Sequence, residues 1–218
     1  MAEGGLSFVT ISLFLGLAAL IPFFVVTMTG FLKISLVLFL VRNALGIQQT
    51  PPNLVLYAIA LVLTFYVSAP LLSQMSARLS ASELNINTIE GLQEAASRVR
   101  QPLKDHLMRF THPNERQFFL SATARVWPES ARGEVHDDDV LILMPAFVAS
   151  ELTRAFEIGF LLYLPFLVID VVVSNILMAM GMIMVSPVLI SVPLKLFLFV
   201  SVDGWSRLLH GLILSYAP

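Results

Sequence analysis

Five ionisable residues sit in stretches of sequence that are otherwise apolar: Glu151, Arg154, Glu157, Asp170 and Lys195. The first three step by three residues, so they share one face of a helix. There they can neutralise one another, or they can face a neighbouring subunit or a watery cavity. Asp170 has no opposite charge within a helical turn and needs a partner on another helix, with Lys195 and Lys33 as the candidates. His136 to Asp139 reads HDDD, a run of possible metal donors. Three acids just before a helix start also complement the positive helix end, and that is the better reading. His106, His112 and His210 are scattered without ligand spacing. Asp170 and Asp203 are the only candidates for an aspartyl dyad, and both lie in ordinary helix-interior or helix-end contexts. No cysteine is present, which excludes disulfides, thiolate metal sites and a cysteine nucleophile. No phosphate-cradling glycine loop, dinucleotide fingerprint, HExxH or GxSxG occurs. The chain reads as a non-enzyme with no cofactor and no metal.

A second pattern is apolar. MAMGMIMVSP places methionines at 178, 180, 182 and 184. On an unbroken helix, at about 100° per residue, Met178 and Met182 share one side and Met180 and Met184 another. One face cannot collect all four. Gly181 and Ser186-Pro187 predict that the helix stops and turns here. From these residues alone, methionines filling an irregular gap in a core remain an alternative.

Composition says what elements carry these groups. Of the 218 residues 57% are hydrophobic and 13% charged, with a mean hydropathy of +0.83. Soluble domains carry about 25% charged residues, so this is a membrane protein. The net charge of −2 predicts no nucleic-acid partner. The first apolar run has no preceding base and no cleavage signature, and it is expected to be retained.

Three regions follow, all helical. Residues 1–72 form an N-terminal hydrophobic hairpin. The run from Leu6 to Val41 is either a long helix kinked at Pro22 or a short helix feeding a longer one. A turn containing Gly46 and Pro51-Pro52 leads to an uncharged helix over Leu54–Leu72. Residues 73–139 hold eight of the thirteen bases and ten of the fifteen acids. This insertion is water-exposed, with an amphipathic helix over Thr88–Phe110 interrupted near Pro102 and a second over Asn114–Val126. Ile89, Leu92, Ala96 and Val99 mark the first helix's apolar face. Residues 140–218 are hydrophobic again: a helix over Val140–Met180, the methionine stretch, a helix over Val188–Val202, and a last one over Ser206–Tyr216. Arg42 and Lys195 near the two turns would put both turns in the cytoplasm and both termini outside.

The stretches PAFVASELTRAFEIGF (145–160) and LPFLVIDVVVSNILMAMGMIMVSP (164–187), followed by SVPLKLFLFV and DGW, resemble the signature blocks of the FliP/SctR family of type III secretion export-apparatus proteins. RNALGIQQTPPNLVLYAIALVLTFYVSAP (42–70) resembles that family's N-terminal block. QQTPPN is more similar to the virulence-injectisome branch than to the flagellar one. The resemblance implies an inner-membrane protein inside the secretion basal body, a homo-oligomer that is typically a pentamer. Its implied partners are SctS/FliQ-like and SctT/FliR-like gate subunits, SctV/FlhA-like and SctU/FlhB-like components, membrane lipid, and the unfolded proteins it exports. It also implies a complex lying largely above the bilayer plane, whereas the charge rule on the two turns is what places the charged insertion outside, on the periplasmic side. In the family the residues after the glycine project into the pore as a methionine gasket. That assigns Met182, Ile183 and Met184 to the gasket and Gly181, Ser186 and Pro187 to the loop break. Ile183 departs from the commoner three-methionine version. Two rivals remain: a stand-alone ion-coupled transporter or channel built around Asp170 and Lys195, and an intramembrane aspartyl hydrolase using Asp170 and Asp203.

Overall fold

The computed structural model describes residues 8–81, 88–133 and 135–217. Among them there are helices and turns and no strand. The helices are α1 (Phe8–Met28), α2 (Phe31–Ala44), α3 (Asn53–Ser80), α4 (Ile89–Phe110), α5 (Pro113–Val126), α6 (Val140–Ala179), α7 (Val188–Ser201) and α8 (Gly204–Leu214), with a short 3-10 turn at Glu129–Ala131. The all-α expectation holds. α3 and α6 are each long and apolar enough to cross a membrane, and the α7–α8 pair, bent by 63°, passes the same test as a broken span. At 1.5 Å per residue the 40 residues of α6 run about 60 Å, twice the hydrocarbon thickness of roughly 30 Å. A simple perpendicular span cannot use all of it.

The boundaries differ from the sequence expectation at three places. The first apolar run breaks at Thr29-Gly30, not at Pro22, which lies inside α1, and the longer helix comes first. Pro102 does not interrupt α4; it is buried within a continuous helix. A proline removes one hydrogen bond and can bend a helix, but packing holds the turn around it. α3 continues to Ser80, through the point where the composition turns polar. The side chains of Ile89 and Leu92 lie outside the described residues.

The chain divides into two compact units. One comprises Met1–Gly30 and Ser68–Glu151, the other Phe31–Val67 and Leu152–Pro218. The first has a small core in which Leu107 and Phe110 of α4 and Ile142, Leu143, Ala146 and Phe147 of α6 are buried. In the second, α2 buries half its length, including Ile34, Val37, Leu38 and Val41. α7 buries Ser191, Lys195 and Phe199 and α8 buries Leu208 and Leu212, each set spaced by four residues as one helix face requires. Gly159 marks a close approach: a Cβ there would lie 2.3 Å from Leu40 Cδ1, so α6 meets α2 with no room for a side chain.

Candidate functional site

The methionine loop begins where α6 is capped. Gly181 takes φ +75°. Its N–H donates to Met178 O at 3.0 Å, and the Met182 N–H donates to Leu177 O at 2.9 Å. This pair of bonds is the Schellman arrangement. It satisfies carbonyls that a helix end leaves bare and requires a left-handed residue, which glycine supplies without Cβ strain. The chain then reverses tightly, with the Ile183 N–H donating to Gly181 O at 3.0 Å and the Val185 N–H to Met182 O at 3.3 Å. Ser186 O accepts from the Leu189 N–H and Pro187 O from the Ser191 N–H, starting α7. Three apolar side chains stand at the tip of this hairpin. Met182 is 44% exposed, Ile183 86%, and Met184 fully.

Back along α6 and α7 by about 10–14 Å from their loop ends, at 1.5 Å per helical residue, a charge cluster joins three helices. Lys195 Nζ on α7 donates to Asp170 Oδ2 on α6 at 2.6 Å and to the Ala44 carbonyl at 3.1 Å. Ala44 closes α2, so its carbonyl lacks an intrahelical partner and lies at the negative end of the helix dipole. Gly46, at φ +73°, comes two residues later, and a Cβ there would come within 2.8 Å of Val192 Cγ2. The end of α2 is thus pressed onto α7. Lys195 is 4% exposed, whereas the Asp170 side chain keeps 39% exposure. A cleft of about 320 Å³ lined by Tyr163, Ser174 and Ser191 lets water reach the carboxylate. Lys33, the other candidate partner for Asp170, is buried with its Nζ 3.5 Å from the centre of the Tyr216 ring, a cation–π contact.

The other three charges differ in burial. Glu151 is fully buried, Arg154 half-buried and Glu157 exposed, although all three lie on α6. Asp203 caps α8 from an exposed, left-handed position at φ +53°. The Asp170 carboxylate is engaged by Lys195, while Asp203 stands at the start of α8.

The acidic run before α6 does more than complement a helix start. Asp137 pairs with Arg116 of α5 at 3.4 Å, Asp138 with Lys104 of α4 at 2.5 Å, and Asp139 with Arg100 of α4 at 3.6 Å. The hydrogen bond from Lys104 holds the Asp138 carboxyl below its usual range. Asp139 also accepts the His136 N–H at 3.0 Å, and its carbonyl takes the first N–H groups of α6. Among the described residues no cluster could hold a metal ion. His106 stacks edge-on against Phe110, with ring centres 5.1 Å apart, and near Phe147. Burial, helped by Arg109, pushes its pKa down to about 4. Its Nε2 has no hydrogen-bond partner among the described residues.

Sequence reasoning missed the Ala44 carbonyl, because a backbone acceptor leaves no trace in residue types. It also missed the bases that meet the acidic run. Their signal was the surplus of Lys and Arg in the same insertion.

The comparisons with known proteins cover nearly the whole chain. A family model described as the FliP family matches residues 14–212. The "Probable translocation protein y4yL" of Sinorhizobium fredii is 60% identical over 192 residues, 88% of this chain and 86% of that protein. The "Yop proteins translocation protein R" of Yersinia pestis is 48% identical over 202 residues, 93% of each chain. The "Virulence protein YscR" of Salmonella typhimurium is 41% identical over 201 residues, 92% of this chain and 93% of that protein.

Proposed function

The chain belongs to the FliP family, and from that premise we propose that it is a core subunit of a type III secretion export gate. In this reading its methionine loop closes the pore through which unfolded proteins leave the cell. Members of the family are structural parts of a secretion apparatus and not enzymes, and the apolar helices make this one a membrane-embedded protein. Relatives with names that speak of Yop translocation and of virulence favour the injectisome branch.

The observation that carries the reading is the hairpin tip. Met182, Ile183 and Met184 are three consecutive large apolar side chains in the open, on a turn held by backbone bonds alone. Several copies around an axis would bring these tips together into an apolar constriction. Such a ring excludes water and ions by dewetting. Methionine, unbranched and polarisable, repacks around different passing chains. Ile183 is stiffer and makes the plug less compliant at its middle position. The stand-alone transporter is less well supported, because Asp170 and Lys195 neutralise each other at 2.6 Å.

In this reading the chain assembles as a homo-oligomer, a pentamer by family resemblance, with the SctS-like and SctT-like subunits in the bacterial inner membrane. The insertion 73–139 faces the periplasm. Ser97 is exposed on α4 and the chain has no native cysteine, so a Ser97→Cys variant reports orientation cleanly. Labelling from the cytoplasmic side only would reverse it.

The gasket is tested by replacing Met182, Ile183 and Met184 together with alanine. The expected result is a complex that assembles but makes cells leaky to small ions and dyes, while Met178→Ala, on the helical side of Gly181, matters less. A triple variant that assembles and stays as tight as the parent would show that these side chains pack and do not seal.

A further inference from the structure

The corner between α7 and α8 encloses a cavity of about 500 Å³, remote from the methionine loop at the other end of α7. Its walls are apolar: Leu162 and Phe166 of α6, Leu198 of α7, and Leu208 and Leu212 of α8. The size falls in the range of small-molecule sites, roughly 300–1,000 Å³. The one charged group on its lining is Arg207. Arg207 is exposed, at the mouth, and among the described residues it makes no ion pair. Gly211 lines the cavity from α8, and a Cβ there would meet nothing within 4 Å, so the space beside it is open.

We propose that this cavity binds one acyl chain of an anionic phospholipid, with the headgroup phosphate on the Arg207 guanidinium. The walls suit a hydrocarbon chain and offer it almost no polar partner. The mouth carries a single cation, and a guanidinium matches a phosphate's oxygens two at a time. The helices around the cavity are of membrane type, so lipid is the amphiphile at hand. An apolar segment of a second copy would fill the walls but leave Arg207 without a counter-charge.

Trp205 reports on the site. It follows Gly204, which lines the cavity, and its ring lies 5.3 Å from that of Phe199, another lining residue. The chain has two tryptophans, so in a Trp127→Phe background Trp205 is the sole tryptophan and its emission can be excited selectively. That full-length variant is reconstituted in phosphatidylcholine vesicles containing chain-brominated phosphatidylglycerol or, at equal mole fraction, chain-brominated phosphatidylcholine. The expected result is stronger quenching of Trp205 by the anionic lipid. Arg207→Gln should lower it to the phosphatidylcholine level. Gly211→Leu, which fills the cavity, should lower quenching by both lipids without lowering the thermal midpoint. Equal quenching by the two lipids, unchanged by Arg207→Gln and Gly211→Leu, would overturn the proposal. So would a Gly211→Leu variant with unaltered quenching and lost self-association, since a second copy would then cover the cavity.

Discussion

Breaking the Asp170–Lys195 pair from its two sides should have unequal cost. Asp170→Asn leaves an ammonium that is 4% exposed with no counter-charge, only neutral acceptors in the Ala44 carbonyl at 3.1 Å and the asparagine amide oxygen. Stranding a buried charge costs about 3–5 kcal/mol, relieved in part if the lysine loses its proton. Lys195→Met keeps the volume of the stem and leaves a carboxylate that is already 39% exposed and can hydrate. That side should cost about 1–3 kcal/mol, the range for one unsatisfied polar partner. Asp170→Leu combined with Lys195→Met removes both charges and should be near neutral, as apolar replacements of buried pairs often are. The assay is the thermal midpoint of the purified full chain in detergent, followed by tryptophan fluorescence, with the amount of assembled complex on a native gel as second readout. The order of stability expected is parent and double variant together, then Lys195→Met, then Asp170→Asn. If Lys195→Met proves as damaging as Asp170→Asn, or the double variant is worse than either single one, burial does not set the cost and the reasoning fails.

Gly181→Val forces a β-branched residue to φ +75°. It should lower the midpoint by an amount equivalent to about 1–2 kcal/mol or more, whereas Gly211→Ala, which meets open space, should not lower it. His106 has a pKa of about 4 in the fold against 6.5 free, so the fold favours the neutral ring. Its contribution is fully present above pH 6.5 and is lost as pH falls from there towards 4. At pH 5 the loss should reach at most about 2 kcal/mol, and a His106→Phe variant should show a smaller drop in midpoint between pH 7.5 and 5. Arg154→Ala, three residues along α6 from the fully buried Glu151, should reduce the yield of assembled complex more than secretion per complex. Full yield with no secretion would instead point to a role in conduction.

Helices with strong local signals were legible. The stop at the methionine stretch could be read because glycine is the residue that takes a left-handed cap, and the next helix because proline suits its start. The apolar length of α3 and α6 announced itself in composition. The break at Thr29-Gly30 was harder to read, because Pro22 offered a stronger local signal and tertiary context overrode it. Pro102 misled for the same reason. Asp170 declared only that it needed a partner. The choice of Lys195 over Lys33 depends on which helices lie side by side, and no residue spacing within a helix encodes that. The acidic run was legible as a helix start and illegible as a strap across α4 and α5, because its partners are 21 to 39 positions away along the chain.

The shape of the methionine hairpin is written in its backbone. Every hydrogen bond described there runs from one main-chain group to another, and the side chains of Ile183 and Met184 stand 86% and fully exposed. The turn therefore separates form from chemistry. Gly181 is the position where substitution is punished, while Ile183 and Met184 are free to change character without refolding the loop. An isoleucine at position 183 is admissible on those terms. An unnatural amino acid that photo-crosslinks or fluoresces could stand there too, turning the tip into a recorder of whatever lies against it.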